Sequence, residues 1–374
     1  MTTRTFSSTA WRALIACLLA APLALQAQDS ATQPAVDWRS ANDTVGQFKR
    51  GHADVLRWEL AHLPPPAVAA QTPAELRLLS AEDAVRQAWR SQPKLATALA
   101  RLGPQAQKHI AAGQWIDLDP SLFVRIHDAD EVLKTAVQAR KVWLQAVAAQ
   151  QVVHQRQQGL QAAQAGNELG RRMVSVGNWS ALQRSQVQLA ESVAQMDLTR
   201  ARYAAALAQA DLLRLLQLSG VHAAVELPEQ LPGAALPALS QEQVQRRLEA
   251  LRAQLPRAEG LRARADAQLA LTAYQASQAV LHASQNEVLT LQQFITEQTV
   301  LHYNGMLKSV WDLLGQARMQ SQAVIDAIET QRDFLLAETD LQWVLQGGAP
   351  AYFVSLADAG ADAAAPGHFK GWLP

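Results

Sequence analysis

Alternating steps of three and four residues from Trp179 land on Leu182, Gln186, Leu189, Val193, Met196, Arg200, Tyr203, Leu207 and Ala210. The same stepping from Leu307 lands on Val310, Leu314, Ala317, Ser321, Val324, Ile328, Gln331 and Leu335. A narrow, mostly apolar stripe with a 3.5-residue period is a coiled-coil seam, and it predicts that each helix buries the stripe against a neighbour. Around these stripes the chain has few breaks. No proline falls between Asp128 and Pro228, which predicts two long helices separated only at "SVGNWS" (175–180). After the proline-punctuated connector "ELPEQLPGAALPAL" (226–239), Ser240 begins a short helix and Pro256 opens a longer one that continues to Tyr303. Gly305 interrupts it, and the pattern resumes to Leu345 before Gly347 and Gly348. Gly177 and Gly305 are therefore expected at hairpin tips, each supplying the positive φ of a turn.

The remaining segments fit around this frame. Ser80, with Asp83 three positions on, reads as a capping box opening a helix that runs to about Gly113, with interruptions at Pro93 and at Gly103-Pro104. "WIDLDPSLFVRI" (115–126) is the one stretch with strand character, and Pro120 divides it. Ser180 and Ser309, Ala208 and Ala337, Asp211 and Asp340, Leu212 and Leu341, and Leu216 and Leu345 each lie 129 positions apart, which is the signature of a tandem duplication. The predicted fold is all-α, a tandem pair of long antiparallel helical hairpins. The predicted organisation is a signal peptide (1–27), an N-terminal extension with short amphipathic helices (28–79), a first hairpin repeat (80–225), a linker (226–239), a second hairpin repeat (240–348) and a disordered tail (349–374).

Composition adds little to partner choice and more to compartment. Lys and Arg total 33 against 33 Asp and Glu, so net charge directs the chain neither to nucleic acid nor to an anionic surface. Arg4 and Arg12 precede the apolar run Ala13 to Leu25 and "LQAQDS", a secretory pattern with cleavage near Ala27. "LIAC" also resembles a lipoprotein box ending at Cys17, although the apolar stretch before it is very short. Cys17 is the single cysteine, so cleavage after Ala27 leaves no thiol chemistry. These features together point to the periplasm or outer envelope of a Gram-negative bacterium.

Residues 171–218 and 303–345 resemble the two halves of the TolC-type outer membrane efflux proteins, in particular the branch associated with copper and heavy-metal resistance. The second hairpin is the more specific match: Tyr303, Gly305, Ser309, Asp312, Leu313 and Leu314 at the turn, then Phe334, Ala337 and Leu341 on the return helix. "AEDAVRQAWRSQPKL" (81–95) and Pro256 extend the resemblance to residues 80–348. It implies a homotrimeric helical tunnel whose turns meet the hairpins of a periplasmic membrane-fusion adaptor protein. It also implies a β-barrel, for which each half would need two strands of about 9 to 11 residues. Residues 114–127 are too few for two such strands, and nothing between Leu261 and Asn304 is a glycine or proline. The expectation is a component without its own barrel, associated with the outer membrane only through a partner or a lipid. A non-conducting periplasmic coiled-coil interaction protein of the same origin is the alternative.

The turn residues Gly177, Asn178, Tyr303, Asn304 and Gly305 are the candidate docking site. Closing the hairpins alone would account for the glycines, whereas an aromatic at an exposed tip suits an interface. Arg171 and Arg172 either line an entrance or pair with an adaptor carboxylate, or simply solvate a helix end. His302 with Met306, His52 with Asp54 and Glu59 with His62 are spaced as metal ligands could be. The thiolates and clustered thioethers of a soft-metal site are missing, so no metal site is assigned. Trp58, Trp89, Trp143, Trp179 and Trp311 are expected to pack. No GxSxG, HExxH, phosphate loop or CxxC is present, so no enzyme, cofactor or nucleic-acid partner is expected.

Overall fold

A computed structural model describes residues 76–356, apart from 120, 221–224, 234–238, 240 and 254–255. The described residues all belong to the unit Pro73–Pro374. The expectations for the signal peptide, Cys17, the short helices of residues 36–63, Ser240 and most of the tail fall outside the described residues.

Nine helices and two short strands are present among the described residues. They are β1 (Leu76–Arg77), α1 (Ala81–Arg90), α2 (Ala96–Ala112), α3 (Ser121–Arg125), α4 (Ala129–Ser175), α5 (Ala181–Leu215), β2 (Val225–Glu226), α6 (Gln241–Arg252), α7 (Arg257–Ala283), α8 (Leu289–Asn304) and α9 (Val310–Val344). A π-helical turn, Ser284–Val288, joins α7 to α8 into one rod. The all-α pair of tandem hairpins is thus observed, α4 with α5 and α7–α8 with α9. The two return helices, α5 and α9, are each 35 residues long.

Their starts are chemically alike. Ser180 and Ser309 both sit in extended backbone and form capping boxes, with Gln183 and Asp312 respectively. Ser80 does the same with Asp83 at the start of α1. Two expectations are corrected. The described residues of 115–126 form no strand: Trp115–Asp117 is a 3₁₀ turn and Ser121–Arg125 a short helix, and the Trp115 backbone is bonded to Gln342 of α9 and to Gln346 just beyond it. Pro256 is the residue before the first turn of α7 rather than its first member.

The long helices do not close on themselves. α5 packs on α4, α4 on α9, and α9 on both α7 and α8. The resulting layer reads α5, α4, α9, α7–α8. α4 and α9 run antiparallel, as their cross-contacts record: Lys141 with Asp340, Arg156 with Gln322, Gln155 with Ser321. Being internal, α9 is covered on all sides toward its end, and every residue from Asp333 to Gln342 is buried.

The main core lies at this end, where α1, α2 and the connector wrap the helix pair. Three indoles are held there by hydrogen bonds to backbone carbonyls: Trp89 to Val132 at 3.1 Å, Trp115 to Ile110 at 2.8 Å and Trp143 to Leu78 at 2.8 Å. Each spends its one donor, so the ring can be buried without an orphaned N–H. The strands pair in parallel, Leu76 with Val225 and Arg77 with Glu226, tying the start of the first hairpin unit to the connector.

One full charge pair crosses this core. Lys141 Nζ donates to both oxygens of Asp340, at 2.8 and 3.0 Å. Burial pushes the Asp340 carboxyl up despite the lysine, so desolvation outweighs the attraction. Removing one partner then strands the other, and the more buried partner is the worse one to strand. Lys141→Met is expected to cost about 3 kcal/mol, and Asp340→Asn about 1 to 2 kcal/mol, in urea unfolding followed by circular dichroism. The opposite order would mean that Asp340 is not the desolvated partner.

Candidate functional site

The two hairpin turns lie side by side at the far end of the layer, because the Trp179 and Trp311 rings stack with centroids 4.1 Å apart. Gly170 makes room for this: a Cβ there would lie 2.8 Å from Val187 Cγ2 and 3.2 Å from Trp179 Cζ3. Two glycines of α4, Gly170 and Gly166, thus let the second turn of packing come close, Gly166 facing Leu314.

At the first turn Gly177 has φ +78° and donates to Val174, while Asn178 donates to Met173 at 2.9 Å. The left-handed residue and the paired backwards bonds satisfy the last carbonyls of α4. The second turn repeats the scheme, with Met306 donating to Tyr303 at 3.0 Å and Leu307 to His302 at 2.8 Å. Here the left-handed residue is Met306, φ +59°, whereas Gly305 has φ −81°. The expectation that Gly305 supplies the positive φ is therefore corrected. The 129-residue repeat carried the signal, since it aligns Gly177 with Met306 and not with Gly305.

All five candidate residues, Gly177, Asn178, Tyr303, Asn304 and Gly305, are exposed at this end. The sequence reading missed the residues most open to a partner: Met306 is 94% exposed and Leu307 76%. Val176 at the first turn is exposed too, so the end presents apolar side chains from both turns. Its charges are mostly spoken for. Arg171 and Arg172 both donate to Glu168, at 2.9 and 2.8 Å, and these bonds hold the Glu168 carboxyl below the usual range. Hydrogen bonds from the Ser309 hydroxyl and backbone do the same for Asp312, with Lys308 nearby. Among the described residues no three His, Cys, Asp or Glu side chains come together as metal ligands, and no helix is long and apolar enough to cross a membrane.

No family model matches the chain, and no curated protein does. Among solved structures it is similar to outer membrane channels. CusC, whose crystal structures concern folding and transmembrane channel formation, is 12% identical with a TM-score of 0.47, covering 71% of this chain and 93% of that one. The CmeC outer membrane channel of Campylobacter jejuni is 10% identical with a TM-score of 0.47, covering 76% of this chain and 71% of its own. The outer membrane protein VceC of Vibrio cholerae is 13% identical with a TM-score of 0.45, covering 72% and 96%. These are likenesses of fold.

The turn geometry sets an order of tolerance. Gly177→Ala is expected to lose about 1 kcal/mol because an L side chain is strained at positive φ. Met306→Gly should gain up to about 1 kcal/mol by relieving that strain, and Gly305→Ala should change little. Urea melts of the three variants check this, and a Gly305→Ala loss as large as that of Gly177→Ala would refute the assignment.

Proposed function

We propose that the chain is the protomer of a homotrimeric periplasmic conduit in an envelope efflux or export system, docking a membrane-fusion adaptor protein through its hairpin turns. The observation that carries this reading is a pair of unpartnered apolar stripes on the two edges of the layer. On α5 the coiled-coil seam Leu182, Leu189, Val193, Met196 and Tyr203 faces outward, with Leu189 65% and Tyr203 67% exposed. The seam was expected to be buried against a neighbouring helix, and within one chain it is not. On α7–α8 the outward residues are Val280, Val288, Leu291, Ile295 and Leu301, flanked by Phe294.

The two stripes match in height. The α5 residues stand 1, 8, 12, 15 and 22 positions from Ala181, and Leu301, Ile295, Leu291, Val288 and Val280 stand 3, 9, 13, 16 and 24 positions before Asn304. At about 1.5 Å per residue, paired rows differ by only about 3 Å. α5 runs away from the turns and α8 toward them, so α5 of one copy can lie antiparallel against α7–α8 of the next. A layer with two complementary, non-identical edges joins head to tail and closes into a ring. The stacked tryptophans would put every pair of turns at one mouth, where the crown of Val176, Met306 and Leu307 suits an adaptor's helical hairpin. What passes through the ring, and the adaptor itself, come to this reading from the sequence resemblance.

Size-exclusion chromatography with light scattering on the full chain should give three copies per particle. Leu189→Asp and Ile295→Asp, on opposite edges, should each reduce it to a monomer of unchanged helicity, because a charge cannot be buried in either seam. Leu307→Asp at the turn should leave the mass unchanged and abolish binding of an adaptor hairpin. A wild-type monomer at all concentrations would overturn the conduit and leave a non-conducting interaction protein.

A further inference from the structure

At the end opposite the turns, a cavity of about 380 Å³ opens among α1, α4, α9 and the connector. Its wall includes Trp143, Leu335, Pro228 and Pro232, and three charged side chains: Arg140 of α4, Glu338 of α9 and Glu82 of α1, the last of which accepts from Arg86 at 3.1 Å. Glu338 is 3% exposed. Arg140 is partly buried, and Gly113 leaves room for its guanidinium: a Cβ there would come within 2.6 Å of Nη1 and 2.9 Å of Cζ. Gly113 also has φ +79°, a backbone conformation that favours glycine.

Gln230 is exposed at the rim, and most other polar groups of the wall are engaged. The Trp143 indole donates to Leu78, Ser80 is engaged with Asp83, and Gln114 Oε1 meets His109 Nδ1 at 3.0 Å. Arg140 and Glu338 feel each other only through space, without an ion-pair contact, and no hydrogen bond from the described residues reaches either. Arg140 is partly buried and Glu338 almost wholly so, and both line the cavity without a partner among the described residues, where charged groups are normally paired or ligated. Two opposite charges facing one cavity and separated by a gap are complementary to a molecule that carries both signs.

We propose that this cavity binds a small zwitterion, with its carboxylate on the Arg140 guanidinium, its ammonium on Glu338 and its carbon chain against Trp143 and Leu335. The guanidinium fork takes a carboxylate in two parallel bonds, which neither Glu338 nor any other described residue supplies. The volume lies at the small end of ligand cavities, so the ligand is an amino-acid-sized molecule rather than a peptide. Burial raises the Glu338 carboxyl, opposed only by Arg140, and a ligand ammonium in contact would hold it ionised. The site lies away from both seams, and its occupation does not depend on the conduit.

Isothermal titration of the full chain with glycine, β-alanine and 4-aminobutyrate, which differ in charge separation, tests this against acetate and methylammonium. Saturable binding of at least one zwitterion is expected, with both single-charge probes much weaker. Arg140→Gln and Glu338→Gln should each weaken it by about tenfold or more, the scale for losing one partner of a buried charge pair. Arg140→Lys keeps the charge and the fold while losing the fork, and should weaken it less. Circular dichroism checks folding, and light scattering checks that the particle mass is unchanged, so that this inference and the assembly can fail separately. No binding by any zwitterion, acetate binding as tightly, or full retention in a folded Glu338→Gln would each overturn the proposal.

Discussion

The packing of α4 against α9 is the constraint on which the rest of this chain depends. Every other long helix touches the layer through one of these two, α5 through α4 and α7–α8 through α9. Because the pair is antiparallel and comes from different hairpins, it locks the first repeat to the second along most of their length. Polar contacts mark its register from Lys141 with Asp340 near the core to Gln155 with Ser321 farther out. Small residues then set the approach near the turns, where Gly166 and Gly170 leave room for Leu314 and for the Trp179 ring that meets Trp311.

One consequence is that two closely similar helices live in different surroundings. α5 and α9 have the same length and the same type of cap, yet α9 is internal and α5 is an edge. The end of α9 therefore buries Asp333, Glu338, Thr339, Asp340 and Gln342 along with its apolar residues. Buried polar groups of this kind need partners. Lys141 serves Asp340, and the Trp115 backbone serves Gln342. α5 has no such requirement on its free face, where Arg200 and Tyr203 both stay in contact with solvent.

The two ends of the layer divide the chemistry between them. The core end is held by indole hydrogen bonds, a parallel strand pair and charges crossing between helices, and its cavity is closed on several sides. The turn end is held by backbone turns, two capping boxes and one aromatic stack, and exposes apolar side chains to whatever approaches.

The sequence by itself determined the helical hairpins and most of their breaks. Period, capping residues and the absence of proline are local properties, and local physics acts on them wherever the helix finally sits. The spacing of 129 even aligned Gly177 with Met306, although the eye goes to the glycine at 305. What local pattern cannot encode is the neighbour. The stripe from Leu182 to Leu207 has the period of a buried seam, and so has the stripe from Val310 to Leu335, yet the second is mostly covered and the first faces outward. That difference comes from the order of helices in the layer, which the long-range packing of α4 on α9 decides. The same packing brings Arg140 and Glu338 to one cavity from positions far apart in the chain. A helix carries its apolar face in its residue spacing, but which surface meets that face is a property of three-dimensional order, and only the tertiary structure decided it.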